Sequence, residues 1–391
     1  MTEKDILNYL IHHTAIFNSN EKLSIKEISD GNINYVFRIK SQNKSVIVKY
    51  ASDKIRTSGN PLSTERNRIE TNALIDENNY AKGSVPMIYH HDENRSILIM
   101  EDLYDYDNLR YALMNQRQFS TLGKDMTSFL TKTLLLSSDF IMDPKEKKQK
   151  VKNYINPMLC AITERLVFTE PYDKEINTNI LTKENEEFLI HELYEDEHLK
   201  LEVAKLKYNF ETKAQSLLHG DLHTGSIFVK EGSTKILDPE FAFYGPAGYD
   251  IGNIVANLIF AWTRCAVGTG NKDFMNYIKA TITQIIDGFK NDGMTLLKEK
   301  VTDRMYLNDE FLNNAIQDIL CDSAGMCGTE LIRRIIGDAK VKDITTIDDI
   351  KQKCKAECFC VLVGKSLIKQ RKYIWNANNY FEIMDDIWEK L

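Results

Sequence analysis

The sequence predicts an α+β fold in two lobes, a small antiparallel-sheet lobe over residues 1–103 and a larger, mostly helical lobe over residues 104–391. Three observations predict it. Short β-branched and aromatic runs at residues 23–28, 35–39, 46–49 and 96–100 are separated by turn residues such as Gln42-Asn43 and Asp92-Glu93-Asn94, the pattern of an antiparallel meander. From Tyr104 to about Gln215 the apolar spacing becomes helical, with Leu109 and Leu113, then Leu130 and Leu134, one turn apart, and Pro144, Pro157 and Pro171 as punctuation. A chain of 391 residues is long enough to bury a core in each lobe.

Composition narrows the function classes. A formal charge of −7 and a pI near 5.7 argue against a nucleic-acid partner. The densest basic run, residues 145–152, is interrupted by Glu146 and reads as a solvated helix face, as does the acidic stretch 184–198. Residues 254–262 form the longest apolar run, far too short to span a bilayer. The opening MTEKDILNYLIHH is an amphipathic helix pattern without the apolar core of a cleavable signal. Seven cysteines, with no CxxC pair, read as reduced thiols; Cys354, Cys358 and Cys360 cluster without the histidine spacing of a zinc site. His90 and His91 have no ligand-like partners and read as packing or surface residues. These features describe a cytoplasmic protein that works without membrane or nucleic acid.

Chemistry concentrates at residues 217–240, LLHGDLHTGSIFVKEGSTKILDPE. IFVK and TKIL read as two short strands turned by Glu231-Gly232-Ser233, which brings Asp221 before the first strand and Asp238-Pro239-Glu240 after the second to one hairpin edge. Phosphoryl transfer needs one carboxylate for the acceptor hydroxyl and others to hold Mg²⁺ against nucleotide phosphates. Asp221 is therefore the candidate base, Asp238 the candidate metal ligand, and Glu240 a second ligand or a water-holder. His219 reads as a brace for the loop. Two unrelated surface turns would account for either motif alone, but less well for the ordered pair.

HGDLHTGS followed by ILDPEFAFYGP resembles the methylthioribose kinases, a family of protein-kinase-like small-molecule kinases, and the resemblance spans nearly the whole chain. It implies a bilobal protein-kinase-like fold, ATP and Mg²⁺ as cofactors, a homodimer, and 5-methylthioribose as the small-molecule sugar substrate, phosphorylated on its 1-hydroxyl in methionine salvage. Gly220 stands where protein kinases carry the arginine that receives an activating phosphate, so constitutive activity is expected. Ser226 stands where kinase-like enzymes place a metal-binding asparagine, a departure that weighs against an aminoglycoside or choline kinase. The rival readings are another small-molecule kinase, for an aminoglycoside, choline or homoserine, and a nucleotide-binding pseudokinase. The presence of Lys49, Asp221 and Asp238 disfavours the pseudokinase.

The nucleotide residues follow the protein-kinase order. Asp30-Gly31-Asn32 holds the position of the phosphate-covering loop, with one glycine where that pattern has three, and the family resemblance puts Asn32 at the nucleotide. Val46-Ile47-Val48-Lys49 matches the strand that ends in the phosphate-binding lysine. Such a lysine needs a carboxylate from the following helix; Glu70, beside the sheet-facing Ile69, is preferred to Glu65. The family usually has tryptophan where Asn60 precedes Pro61-Leu62, so a lid role for loop 55–62 lacks that support. Glu101-Asp102-Leu103, where strand gives way to helix, is the expected hinge at which backbone groups meet adenine.

Two further features lie downstream. Asp250 reads either as a helix N-cap or as a buried aspartate that pins the catalytic loop from below. Arg333 and Arg334 sit in the apolar stretch TELIRRIIG, where unpaired guanidinium is costly. Adjacent helix positions point about 100° apart, which argues against both meeting one ligand squarely. They form either a salt bridge at a helix surface or, by family resemblance, a contact to the acceptor sugar or the transferring phosphoryl group.

Overall fold

The computed structural model describes residues 2–18, 20–28, 34–54, 56, 59, 61–176 and 178–391; the expected phosphate-loop residues Asp30, Gly31 and Asn32, and Asn60, lie outside them. The chain begins with α1 (Glu3–His13), β1 (Ser24–Glu27), β2 (Tyr35–Lys40), β3 (Ser45–Tyr50), α2 (Glu65–Tyr80), β4 (Ile88–Asp92) and β5 (Ile97–Glu101). The five strands form one antiparallel sheet in the order β1-β2-β3-β5-β4. Alternation along β3 decides what each face receives. Val46 and Val48 pack with Ile6 and Leu10 of α1 and with Phe37, Ile39, Ile97 and Ile99. Ile47 joins Leu98 and Met100 on the opposite face, which Lys49 shares by the same period of two. His90 and His91 are hydrogen-bonded packing groups: Tyr9 Oη lies 2.8 Å from His90 Nε2, and Asn67 Oδ1 lies 3.1 Å from His91 Nε2.

The rest is mostly helical. In order it comprises β6 (Asp107–Asn108), α3 (Leu109–Met114), α4 (Leu122–Leu136), α5 (Pro144–Asn153), α6 (Pro157–Phe168), α7 (Glu186–Leu189) and α8 (Glu197–Thr212). Then come β7 (Ser216–Leu218), β8 (Ile227–Lys230), β9 (Ser233–Ile236), β10 (Phe243–Gly245), α9 (Gly248–Val267) and α10 (Lys272–Lys300). The chain closes with α11 (Asp309–Ile336), α12 (Lys342–Thr345), α13 (Ile350–Gln370) and α14 (Ala377–Lys390). The apolar run 254–262 is the middle of α9, buried throughout against α11 and α13. Among the described residues no helix is long and apolar enough to cross a membrane.

Two surface expectations hold for most of their residues and are corrected at a few. In the basic run, Lys147 is fully buried, donating to Asp139 Oδ2 at 2.8 Å and to the Gln215 carbonyl at 2.6 Å. Lys150 also turns inward, to both oxygens of Asp76 at 2.6 and 2.7 Å, and Tyr154 Oη donates to the same carboxylate at 2.7 Å. A helix with lysines on several sides can bury one and half-bury another where carboxylates and carbonyls await them, and composition does not reveal those partners. The acidic stretch is likewise not wholly solvated: Glu192 and Asp196 pair with Lys365 at 2.7 and 2.9 Å.

The Asp76 contacts fix α2 to α5, and Arg68 adds a bond from Nη1 to the Asn153 carbonyl at 3.1 Å. Covered on one side by the sheet and on the other by the helical body, α2 has no single apolar stripe. It buries Arg66, Glu70, Asp76 and Glu77 alongside Ile69, Ala73 and Leu74.

Candidate active site

The loop after β7 carries Asp221. Asp250 lies inside the first turn of α9 and is not its N-cap; its carboxylate accepts from His219 N at 2.7 Å and Gly220 N at 3.0 Å, which pins the loop from below. His219 braces it from the side, with Nε2 2.8 Å from the Leu237 carbonyl and Nδ1 accepting from Asp221 N at 3.3 Å. Gly220 has φ +82°, and a Cβ there would fall on the Phe241 carbonyl oxygen. Gly220→Ala is expected to destabilise the protein by more than about 1 kcal/mol in urea unfolding; an unshifted midpoint would contradict this crowding. β8 and β9 pair as expected, with Ile227 opposite Ile236, and the hairpin delivers Asp238 at φ +65°, a left-handed conformation uncommon for a residue with a Cβ.

Asp238 meets Lys49 across the cleft. Lys49 Nζ lies 2.7 Å from Glu70 Oε1 and 2.8 Å from Asp238 Oδ1. Burial works against the lysine charge, but Asp238 and Glu70 outweigh it and hold the ammonium protonated. Burial pushes Glu70 up to about 7 against the pull of Lys49. Glu65 is exposed and pairs with Arg68, so Glu70 is the carboxylate the structure brings to the lysine. Glu240 Oε2 accepts from Asn34 Nδ2 at 2.8 Å, and Asn34 Oδ1 accepts from the buried Arg66 at 2.9 Å. At the end of β5, Asp102 receives Arg38 Nε at 2.8 Å and the Ser45 hydroxyl. Its side chain is therefore engaged, and the 101–103 segment lines the cavity beside Val36, Ile47, Met100 and Leu237.

The other end of the cavity is dominated by arginine. Glu330 of α11, buried, accepts from Arg333 Nε and from Arg334 Nε, the latter at 2.8 Å. Both guanidiniums then reach Asp221 Oδ1, at 3.8 Å from Arg333 Nη2 and 3.5 Å from Arg334 Nη2. This corrects both the divergence expected from helix geometry and the surface reading. One carboxylate at i−3 and i−4 gathers the two long side chains, which are only 8% and 9% exposed, onto a common target. Burial raises the Asp221 carboxyl, but the His223 ring, Arg334 and Arg333 together hold it down at about 2. Arg110 of α3 completes this wall, bonded to Thr224 Oγ1 at 3.3 Å and Asn257 Oδ1 at 3.2 Å, with Asp343 at 3.4 Å.

Lys49, Asp221, Asp238, Glu240, Arg333, Arg334 and the 101–103 segment thus line one cavity of about 630 Å³, with Glu70 directly behind Lys49. Pro239 lies between the two acids, its carbonyl accepting from Ala242 N at 3.1 Å. Asp238 and Glu240 fit a magnesium ion. They are two oxygen donors on one cavity, and Glu240 is raised by burial and by the charge of Asp238, a repulsion that a divalent cation would relieve. The Ser226 hydroxyl is instead engaged by the Asp221 and His223 carbonyls, each at 3.0 Å. Sequence reasoning missed Asn34, Arg66, Arg110, His223 and Glu330. Only Glu330, one helical turn before the arginines, and His223, inside HTGS, had a legible signal.

A small antiparallel sheet over a helical body, with a lysine–glutamate pair and three carboxylates at one cavity, defines a phosphotransferase of the protein-kinase-like class. The sequence model of the phosphotransferase enzyme family matches residues 148–274. A methylthioribose kinase of Bacillus pumilus (strain SAFR-032) is 37% identical over 369 residues, covering 93% of this chain and 91% of that protein. Those of Geobacillus sp. (strain WCH70) and Exiguobacterium sibiricum are 36% identical over 377 residues and 38% over 361, covering 95% and 90% of this chain and 92% and 89% of theirs. The chain belongs to the methylthioribose kinase family and is an enzyme, a kinase of a small-molecule substrate.

Proposed function

We propose that this enzyme transfers the γ-phosphoryl group of ATP to the 1-hydroxyl of 5-methylthioribose, giving 5-methylthioribose 1-phosphate for methionine salvage in the cytoplasm, and that it works as a homodimer. On this reading residues 1–103 are the nucleotide lobe and residues 104–391 the catalytic and substrate lobe. The observation that carries the acceptor class is the arginine wall: Arg333 and Arg334, gathered by Glu330, stand 3.8 and 3.5 Å from Asp221. The guanidinium N–H donors of that wall suit the hydroxyls and ring oxygen of a neutral sugar. The names of the relatives supply the particular sugar.

Bound ATP with Mg²⁺ supplies the transferable phosphoryl group and neutralises its charge. Lys49, oriented by Glu70, binds phosphate oxygens, and Asp238 with Glu240 holds the metal. The backbone of residues 101–103 receives adenine, and Asn32 contacts the nucleotide. Asp221, ionised at neutral pH, orients the acceptor hydroxyl and takes its proton while Arg333 and Arg334 position the sugar. The test is turnover with ATP and Mg²⁺ across 5-methylthioribose, ribose, choline and an aminoglycoside. The highest kcat/KM is expected for 5-methylthioribose; turnover of another acceptor without it would overturn the substrate.

A further inference from the structure

Ser226 replaces a metal-binding asparagine of the kinase-like pattern, and its neighbours show a different use for this segment. The Ser226 amide donates to His223 Nδ1 at 3.0 Å, so that nitrogen carries no proton and the ring proton resides on Nε2. His223 Nε2 lies 3.5 Å from Asp221 Oδ2, whereas the two arginines approach Oδ1. The two oxygens of the carboxylate therefore face different groups. The charged groups facing the ring are Asp221 of its own loop, Arg110 of α3, and Arg334 and Glu330 of α11. Burial, aided by the two arginines and opposed by the acids, pushes the imidazole down to about 4, which keeps it neutral.

The rest of HTGS keeps the ring in place. A Cβ at Gly225 would meet His223 Cε1 at 2.9 Å and Arg110 Cζ at 3.4 Å, so the missing side chain is the space in which ring and guanidinium pack. The Gly225 carbonyl is fixed by Asn108 Nδ2 at 2.7 Å, and Thr224 Oγ1 donates to Asn257 Oδ1 at 3.1 Å. A surface turn needs none of these buried partners.

We propose that His223 is a positioning residue: as the Nε2–H tautomer fixed by the Ser226 amide, it donates to Asp221 Oδ2 and sets the carboxylate's orientation toward the acceptor hydroxyl. This rests on Asp221 being the base of the proposed reaction. Two variants separate positioning from mere support of the loop. His223→Asn keeps an acceptor for the Ser226 amide, as an N-cap asparagine does, but is too short to donate to Asp221. His223→Gln places an N–H at the reach of Nε2 and gives up the Ser226 contact.

His223→Asn is expected to fold, keep the KM for ATP, and lose roughly 10-fold to 10²-fold in kcat; His223→Gln is expected to regain part of that loss. Histidine-selective ¹⁵N spectra give a readout independent of substrate. The chain has eight histidines, and His223→Asn removes the signals to be assigned. Wild-type His223 is expected to show an unprotonated Nδ1 and a protonated Nε2 at neutral pH. A protonated Nδ1, or a wild-type kcat in His223→Asn, overturns the proposal. Failure of the wild type to phosphorylate 5-methylthioribose would instead count against the substrate; the variants are then compared on the acceptor that is turned over, and the tautomer result stands either way.

Discussion

Asp221→Asn is expected to bind ATP with unchanged affinity and to turn over at least ~10²-fold more slowly, the lower range for loss of a general base. Asparagine preserves the shape of the carboxylate and an oxygen for Arg334, but its NH2 cannot accept from His223 Nε2–H, and it cannot take a proton. The proposed nucleotide end, with Lys49 between Glu70 and Asp238, is untouched by the change. Calorimetric titration with ATP together with steady-state kinetics separates the two effects; near-normal kcat would remove Asp221 from the chemistry. The depressed pKa, about 2, adds a corollary. A carboxylate lowered in the folded state contributes stability above its unfolded value and loses it as pH falls through about 2. Asp221 is thus ionised throughout the neutral range, and any acid limb of the wild-type kcat/KM between about pH 5 and about pH 8 must come from another group.

The second large effect is expected at Glu330, which touches no cavity-facing atom of the nucleotide end. Glu330 and Asp221 together balance Arg333 and Arg334, and burial leaves little water to replace either acid. Glu330→Gln keeps the volume but strands one positive charge among buried groups. Breaking a buried pair in this way costs ~3–5 kcal/mol. A drop of that size in urea unfolding is expected, with a raised KM for the acceptor and an unchanged KM for ATP. An unaltered unfolding midpoint would mean that water, and not Glu330, compensates the arginines.

Much of the fold was legible because it depends on local periodicity. The alternation that sends Lys49 to the opposite face from Val46 and Val48 is visible in four consecutive residues. The hairpin from Ile227 to Ile236 was equally local, and so was the delivery of Asp221 and Asp238 to one edge. What sequence could not supply was partnership at long range. Asn34 meets Glu240 across 206 positions, and Arg110 meets Asn257 across 147; no pattern in either segment advertises the other. The arginine pair failed differently. Helix geometry gives the direction of Cβ, but a guanidinium lies several bonds further out, and a shared carboxylate redirects it. Asp250 shows the same limit: its residue type suits a cap, while its actual partners, two amides of the 219–220 turn, are set by tertiary packing.

The bond between α2 and α5 has a consequence for control. In a switchable kinase, the helix that carries the lysine's glutamate swings in and out, and a phosphate or partner protein chooses between the positions. Here that helix is bolted to the body at its far end by Asp76, Lys150 and Tyr154, and Arg68 adds a bond nearer its start. Glu70 lies 2.7 Å from its lysine. Together with glycine at position 220, these contacts favour the constitutive activity expected from the sequence, in which flux follows the supply of acceptor and the number of enzyme molecules.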